Sequence, residues 1–279
     1  TIKFKQTQTQ INLVGGYLTE ATYGNGRIAF AVNLPIIKQS RTYSASQPLG
    51  TVSPTPAATL PAAARGAITA VATATNNQVQ AGVAATANGQ NESPSGIGDT
   101  ELSLVWLSHQ GPLKVAAGAS LYVPTGSYDK NRGPNPGFGN FYTLRPGVAV
   151  SYALNPSQSD TSWDSGVTVA GRVSYGVNTK NKDTDYRSGN FLYLEGGITK
   201  VSGSWAYGAN LLAIQQVTDD TGTGAAADGN RLRNRSFGPF VSYQLPGKDA
   251  GLNLHYTQNF GSRNSLVARA LQLRFIKAW

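Results

Sequence analysis

The sequence predicts an all-β protein: a closed antiparallel transmembrane β-barrel of twelve strands, with long extracellular loops and a constricted lumen. Three observations carry that prediction. Apolar residues alternate with small polar ones in segment after segment, which is the period of a strand. The second face of these segments holds Gly, Ala, Ser, Thr and Asn with single Arg or Lys residues, unlike the charged exterior of a soluble sandwich. The alternating segments also run to roughly nine to fifteen residues, where an ordinary strand has about five or six and a tilted bilayer-crossing strand needs about nine to eleven.

Composition narrows the classes. The chain has 279 residues, 40% of them hydrophobic and only 13% charged, with 32 Gly. Its mean hydropathy is -0.25, too polar for a helical membrane protein. No apolar run approaches the roughly 18 residues of a spanning helix. Neither Cys nor Met occurs, which excludes thiol chemistry, and Thr1 is expected to be a processed or trimmed start. A net charge of +9 suggests nucleic acid only weakly, because the Lys and Arg residues are scattered and not interleaved with stacking aromatics. A basic surface or pore near anionic lipid, lipopolysaccharide or anionic solutes explains it better. The expected partners are outer-membrane lipid and lipopolysaccharide, detergent in vitro, small solutes, and no nucleic acid.

The strands can be read in order. "RIAFAVNLPII" sets Ile28, Phe30, Val32, Leu34 and Ile36 against Arg27, Ala29, Ala31 and Asn33. "LKVAAGASLYV" sets Leu113, Val115, Ala117, Ala119, Leu121 and Val123 against Lys114, Gly118 and Ser120. Arg145, Gly147 and Ser151 oppose Leu144, Val148, Val150 and Tyr152, and Thr168, Arg172 and Ser174 oppose Val167, Val169, Val173 and Tyr175. "LNLHYTQNF" puts His255 on the polar face, and the closing "ALQLRFIKAW" puts Leu271, Leu273, Phe275 and Trp279 against Gln272 and Arg274. Aromatics at segment ends, including Tyr122, Tyr152, Tyr175, Trp205, Tyr243 and Trp279, suit an interfacial girdle.

Eleven strands are readable: 3–22, 27–40, 97–108, 113–124, 141–154, 166–177, 190–201, 204–217, 231–245, 251–261 and 266–279. Single-chain bacterial barrels have an even number. The twelfth is therefore expected upstream of Thr1 or inside 3–22, with a turn at Gly15-Gly16. Short turns alternate with longer loops, as periplasmic and extracellular connections do in outer-membrane barrels. The whole chain, 1–279, reads as one domain. Within it, 40–96 is an outlier rich in Ala, Thr and Pro, either a floppy extracellular loop or a segment packed into the lumen.

Catalysis is poorly served. The only two histidines are His109, in a short turn, and His255, on a lumen face, so no His-based triad assembles and the protein is not expected to be an enzyme. "TDDTGTGAAADGN" at 218–230 does not match a calcium-loop spacing. No metal or cofactor is expected. The lumen-lining candidates are Arg27, Lys114, Arg145, Arg172, Glu195, His255 and Arg274, with Glu101 a further inward acid, and their positive excess would favour anions. Prolines mark weak places in ladders, so Pro124 and Pro146, with Gly126 and Gly147 beside them, are candidates for a lateral opening at one seam, or merely the ends of a loop.

Several stretches then point to a family. "SGIGDTELSLVW" at 95–106, "YVPTGSYD" at 122–129, "NTKNKDTDYRSGNFLYLEGGITK" at 178–200, "QVTDDTGTGA" at 216–225 and "FGPFVSYQL" at 237–245 resemble the outer-membrane channels labelled as MetA-pathway-of-phenol-degradation proteins. The resemblance runs from about residue 95 to the C-terminus and fades before it. Its motif positions fall on Gly98, Asp99, Pro124, Thr125, Gly126, Tyr128, Asn178, Thr184, Tyr186, Asp220, Gly222 and Gly238. It implies a twelve-stranded barrel in the bacterial outer membrane and uptake of small hydrophobic, often aromatic, compounds. The expected function is thus a passive channel for such molecules, with lateral exit through the wall; the alternative is a diffusion pore for small polar anions.

Overall fold

The computed structural model describes residues 2–45, 51–156, 162–247 and 249–278. Its strands are β1 (Ile2–Tyr23), β2 (Gly26–Ala45), β3 (Ser95–Ile97), β4 (Thr100–Gln110), β5 (Leu113–Val123) and β6 (Thr143–Ala153). They continue as β7 (Val167–Asn178), β8 (Phe191–Ser202), β9 (Trp205–Gln216), β10 (Arg233–Gln244), β11 (Ala250–Arg263) and β12 (Arg269–Lys277). One helix, α1 (Ala62–Gly89), lies between β2 and β3. The chain divides into two compact units. One comprises Thr1–Asn12, Pro35–Gly98 and Gly126–Phe138, and the other Leu13–Leu34, Asp99–Thr125 and Gly139–Trp279.

In the larger unit, neighbouring strands form an antiparallel meander joined at one end by tight turns. Gly24 and Asn25 both take positive φ, 55° and 62°, as a two-residue hairpin between right-twisting strands requires. Residues directly opposite in such ladders project to the same side. Arg27 faces Leu107, which faces Ala116, then Ala149, Arg172 and Glu195 in succession. The other side carries Val32, Leu102, Leu121, Leu144 and Val177 in one such row. Exposure alternates accordingly along β6, where the residues on the apolar side are exposed. The last strand keeps the pattern: Leu271, Leu273 and Phe275 face Tyr256, Leu254 and Leu252 and are 62 to 73% exposed. Trp279 lies outside the described residues.

The closed barrel expected from the sequence is not formed. The ladder runs from β1 to β12 and stops, leaving an open sheet whose edges are 9 Å apart. The strand count explains it. Residues 3–22 belong to one uninterrupted strand with no turn at Gly15-Gly16, and the twelfth strand is the three-residue β3, which pairs with β2 off the main path. The path β1-β2-β4 to β12 holds an odd number of strands. With every neighbour antiparallel, β1 and β12 run the same way and cannot extend the antiparallel ladder to each other.

In the smaller unit, the first half of β1 is polar on both sides. Gln8 donates to Gln10 (2.8 Å) and Gln10 to Asn12 (2.7 Å), while Gln39 of β2 donates to Gln8 (2.9 Å) and Arg41 to Gln6 (3.0 Å). Where it is described, the segment 40–96 is not a structureless loop. Its start continues β2, and its centre is α1, in which Ala72 and Ala87 are buried. Alanine has the highest helix propensity, and the Thr69, Thr73 and Thr86 hydroxyls satisfy themselves on carbonyls one turn back at 2.9 to 3.1 Å. No helix is long and apolar enough to cross a membrane among the described residues.

Candidate functional site

The polar side of the larger unit carries a belt of charged and aromatic side chains. Arg145 of β6 reaches past β5 to Glu101 of β4, 3.2 Å away. Its guanidinium lies 4.9 Å from the ring centroid of Tyr122 and 5.0 Å from that of Tyr193, so it is held between two rings. Arg172 lies 5.5 Å from the same Tyr193 ring and 3.6 Å from Glu195, which also accepts the Tyr193 hydroxyl at 3.1 Å. Arg172 Nε donates to Ser174 (3.2 Å). Two of the cationic candidates, Arg145 and Arg172, are therefore paired with acids.

Beside this belt is a cavity of ≈ 740 Å³, walled by residues of β1, β2 and β4 to β9. Arg172 and Glu195 form part of its lining, with Arg27, Lys114 and His109 among its other polar residues. Arg27 is pinned: its Nε donates to the Thr19 carbonyl and its Nη2 to the Leu18 carbonyl (3.4 Å). Those bonds orient the guanidinium without cancelling its charge. Lys114 is exposed and has no ion-pair or hydrogen-bond partner among the described residues. From β5 to β8 the inward side chains between these groups are small, Ala116, Ala149, Ala170 and Gly197, and Leu107 of β4 stands between Arg27 and Ala116.

Of the remaining candidates, His255 of β11 meets Asn210 Oδ1 at 3.0 Å and stands edge-on to Phe240. Arg274 of β12 donates to Gln272 (2.8 Å), on the row next to His255. Pro124 and Pro146 are not brought together. Pro146 faces Ala119 and Gly147 faces Gly118 inside an unbroken β5–β6 ladder, whereas Pro124 lies just beyond the end of β5 and Gly126 falls in the smaller unit. Glu101, the acid partner of Arg145, is legible as an inward acid in the sequence, but its aromatic partners Tyr122 and Tyr193 are not. Tyr122 was expected at an interfacial girdle, yet it shares its parity with Lys114 and Ser120 and packs on Arg145; strict counting of twos along β5 places it there. Trp205 and Tyr243, at the short-turn end, do pair, with ring centroids 4.7 Å apart.

At the opposite end the loops are knitted by carboxylates and amides. Asp220 is buried and accepts from the Tyr186 hydroxyl, Gly189 N (2.8 Å), Gln216 Nε2 (2.7 Å) and Asn230 Nδ2 (3.2 Å). Burial alone would push this carboxyl up, but the four donors together outweigh it and hold it below its ordinary range. Burial, with the carboxylate as hydrogen-bond partner, pushes the Tyr186 hydroxyl up to about 12. Arg187 and Thr221 exchange backbone bonds at 2.8 and 2.9 Å, and Asn140 donates to Asp183 (2.6 Å). Asp219 is taken by Arg231. No group of three or more His, Cys, Asp or Glu side chains placed to hold a metal ion occurs among the described residues.

An antiparallel sheet with one apolar face and one polar face lined by charged and aromatic belts has the two-sided character of a membrane β-protein. The chain belongs to the family described as "Putative MetA-pathway of phenol degradation", which matches residues 3–275. It is similar in fold to an outer membrane channel from Pseudomonas putida F1 of known crystal structure, with a TM-score of 0.71 and 13% identity over 98% of this chain and 85% of that one. No curated protein matches it. The family match and the shared fold both point to a bacterial outer-membrane protein.

Proposed function

We propose that this protein is an outer-membrane channel that admits small hydrophobic molecules along the inner face of its sheet and releases them sideways into the bilayer. One observation favours a sideways exit: a break in the β6–β7 ladder. Leu144 faces Val177 and Gly147 faces Ser174, but the two intervening pairs, Arg145 with Gly176 and Pro146 with Tyr175, are absent. Proline has no N–H to donate, so a ladder passing Pro146 loses a rung. The β5–β6 side of the same strand is continuous, so the weakness lies toward β7. Apolar solutes cross the polar lipopolysaccharide layer slowly, and a gap opening onto the apolar outer face lets them leave without re-entering water.

Cysteines replacing Pro146 and Tyr175 test this route. Radiolabelled toluene uptake is measured in a porin-depleted Gram-negative host. Oxidation, with the crosslink verified by mass, should slow uptake and reduction should restore it. Equal uptake in the two redox states sinks this exit. The second reading, a pore for small polar anions, is favoured by the uncompensated charges of Arg27 and Lys114 at the cavity.

A further inference from the structure

We infer that the ≈ 740 Å³ cavity is a binding site for amphipathic carboxylates, seating an aromatic or short aliphatic body on its small-residue floor and a carboxylate on Lys114 and Arg27. This inference rests on reading the inner face as the solute path and names a class of solute for it.

The charge count comes first. Arg27, Lys114 and Arg172 line the cavity against one acid, Glu195, and that acid is spent on Arg172 at 3.6 Å. Arg27 is fixed by two β1 carbonyls, which leave its full charge facing the space. Lys114 comes from β5, and neither of its neighbours on the same row, His109 and Ser151, is an acid. An exposed lysine is ordinarily just solvated. This one shares a cavity with a second, pinned cation and no free acid, so the cleft focuses a positive potential that concentrates anions.

The floor comes second. Ala116 faces Ala149 across the β5–β6 ladder, and Ala170 faces Gly197 across β7–β8. No large side chain rises from these positions, and the room they leave suits a ring or a short chain, as ligand pockets usually do with a few placed polar groups. A neutral hydrocarbon would use the floor and leave both cations unsatisfied. A small inorganic anion would use the cations and waste the floor. A carboxylate on an apolar body satisfies both, with the guanidinium able to take it in a forked arrangement.

The test measures uptake of benzoate, acetate and toluene in the porin-depleted host, comparing the full chain with Lys114→Gln and Lys114→Glu. These substitutions fall at an exposed position with no partner to strand, so folding is preserved and is checked by detergent circular dichroism. Benzoate should enter faster than acetate, and Lys114→Gln should lower the benzoate-to-toluene ratio by about tenfold, the scale of one charge-assisted hydrogen bond. Lys114→Glu should lower it further. An unchanged ratio in both variants overturns the inference, as does acetate uptake equal to that of benzoate. If the wild-type chain fails to accelerate toluene, the hydrophobic-solute reading fails. The benzoate-to-acetate comparison still decides whether the cavity selects amphipathic acids.

Discussion

Arg145 and Glu101 sit on strands that are not neighbours, yet their side chains meet at 3.2 Å across the intervening β5. Both are largely buried, with side chains 13% and 19% exposed. The Nε of Arg145 is itself buried and without a hydrogen-bond partner. Removing one member of such a pair strands the other, which costs more than the pair is worth. Glu101→Gln should therefore destabilise the protein by about 2 kcal/mol, and Glu101→Gln with Arg145→Gln should recover much of that loss. Detergent unfolding of the four proteins of the cycle, followed by circular dichroism, checks this; a double variant no better than the single one would reject it.

Ion preference follows from the same pairing. Arg172 is compensated by Glu195 and Arg145 by Glu101, so neither contributes a net charge to the inner face. Neutralising a whole pair, Arg172→Gln with Glu195→Gln, should leave anion preference in planar bilayers nearly unchanged. Lys114→Glu should move the reversal potential toward cation preference. A larger shift from the neutralised pair would show that Lys114 does not face the conducting path.

How much of this was legible in the sequence can be judged residue by residue. Period-two alternation put Arg27, Lys114, Arg145 and Arg172 on one face because side-chain direction in a strand is a local, two-residue property. Closure is not local. It depended on whether 3–22 was one strand or two, and Gly15-Gly16 lies inside a continuous strand because glycine permits a turn without imposing one. The helix was hidden for a different reason. Ala, Thr, Val and Gly over 62–89 give no polar stripe to mark a period, and Arg65 is the only charged side chain in the segment. The Arg145–Tyr193 contact joins β6 to β8, a distance along the chain that no local pattern reports.

The loop carboxylate gives a pH prediction. The folded-state pKa of Asp220 is depressed, so its contribution is fully present above the ordinary carboxylate pKa near 4 and is lost as pH falls through the lower folded value. Asp220→Asn should loosen the ties to Tyr186, Gly189, Gln216 and Asn230 and cost roughly 1 to 3 kcal/mol at neutral pH. The gap between variant and wild type should narrow below about pH 4. Hydrogen exchange at Gly189, whose N–H ends on this carboxylate, reads the effect directly; equal protection in both proteins at pH 7 would contradict it.

The last prediction tests the seam itself. A Cβ built on Gly147 would come within 2.7 Å of the Val173 carbonyl oxygen and 2.9 Å of the Ser174 Cβ, both on β7. Backbone cannot yield as the tip of a long side chain can, so Gly147→Ala must push β6 away from β7. This happens one residue from Pro146, where the ladder already lacks two pairs. Overpacking of this kind costs about 1 to 3 kcal/mol, so the thermal midpoint should fall. Gly118→Ala is the matched comparison. Its Cβ would meet the Leu104 carbonyl oxygen at 2.2 Å, forcing apart β4 and β5, whose ladder has no proline gap. Both variants should lose stability, but only Gly147→Ala widens the proposed exit and should speed toluene uptake relative to the amount of folded protein. If Gly118→Ala speeds uptake equally, the effect is general loosening of the sheet, and the β6–β7 seam holds no special place in the solute's path.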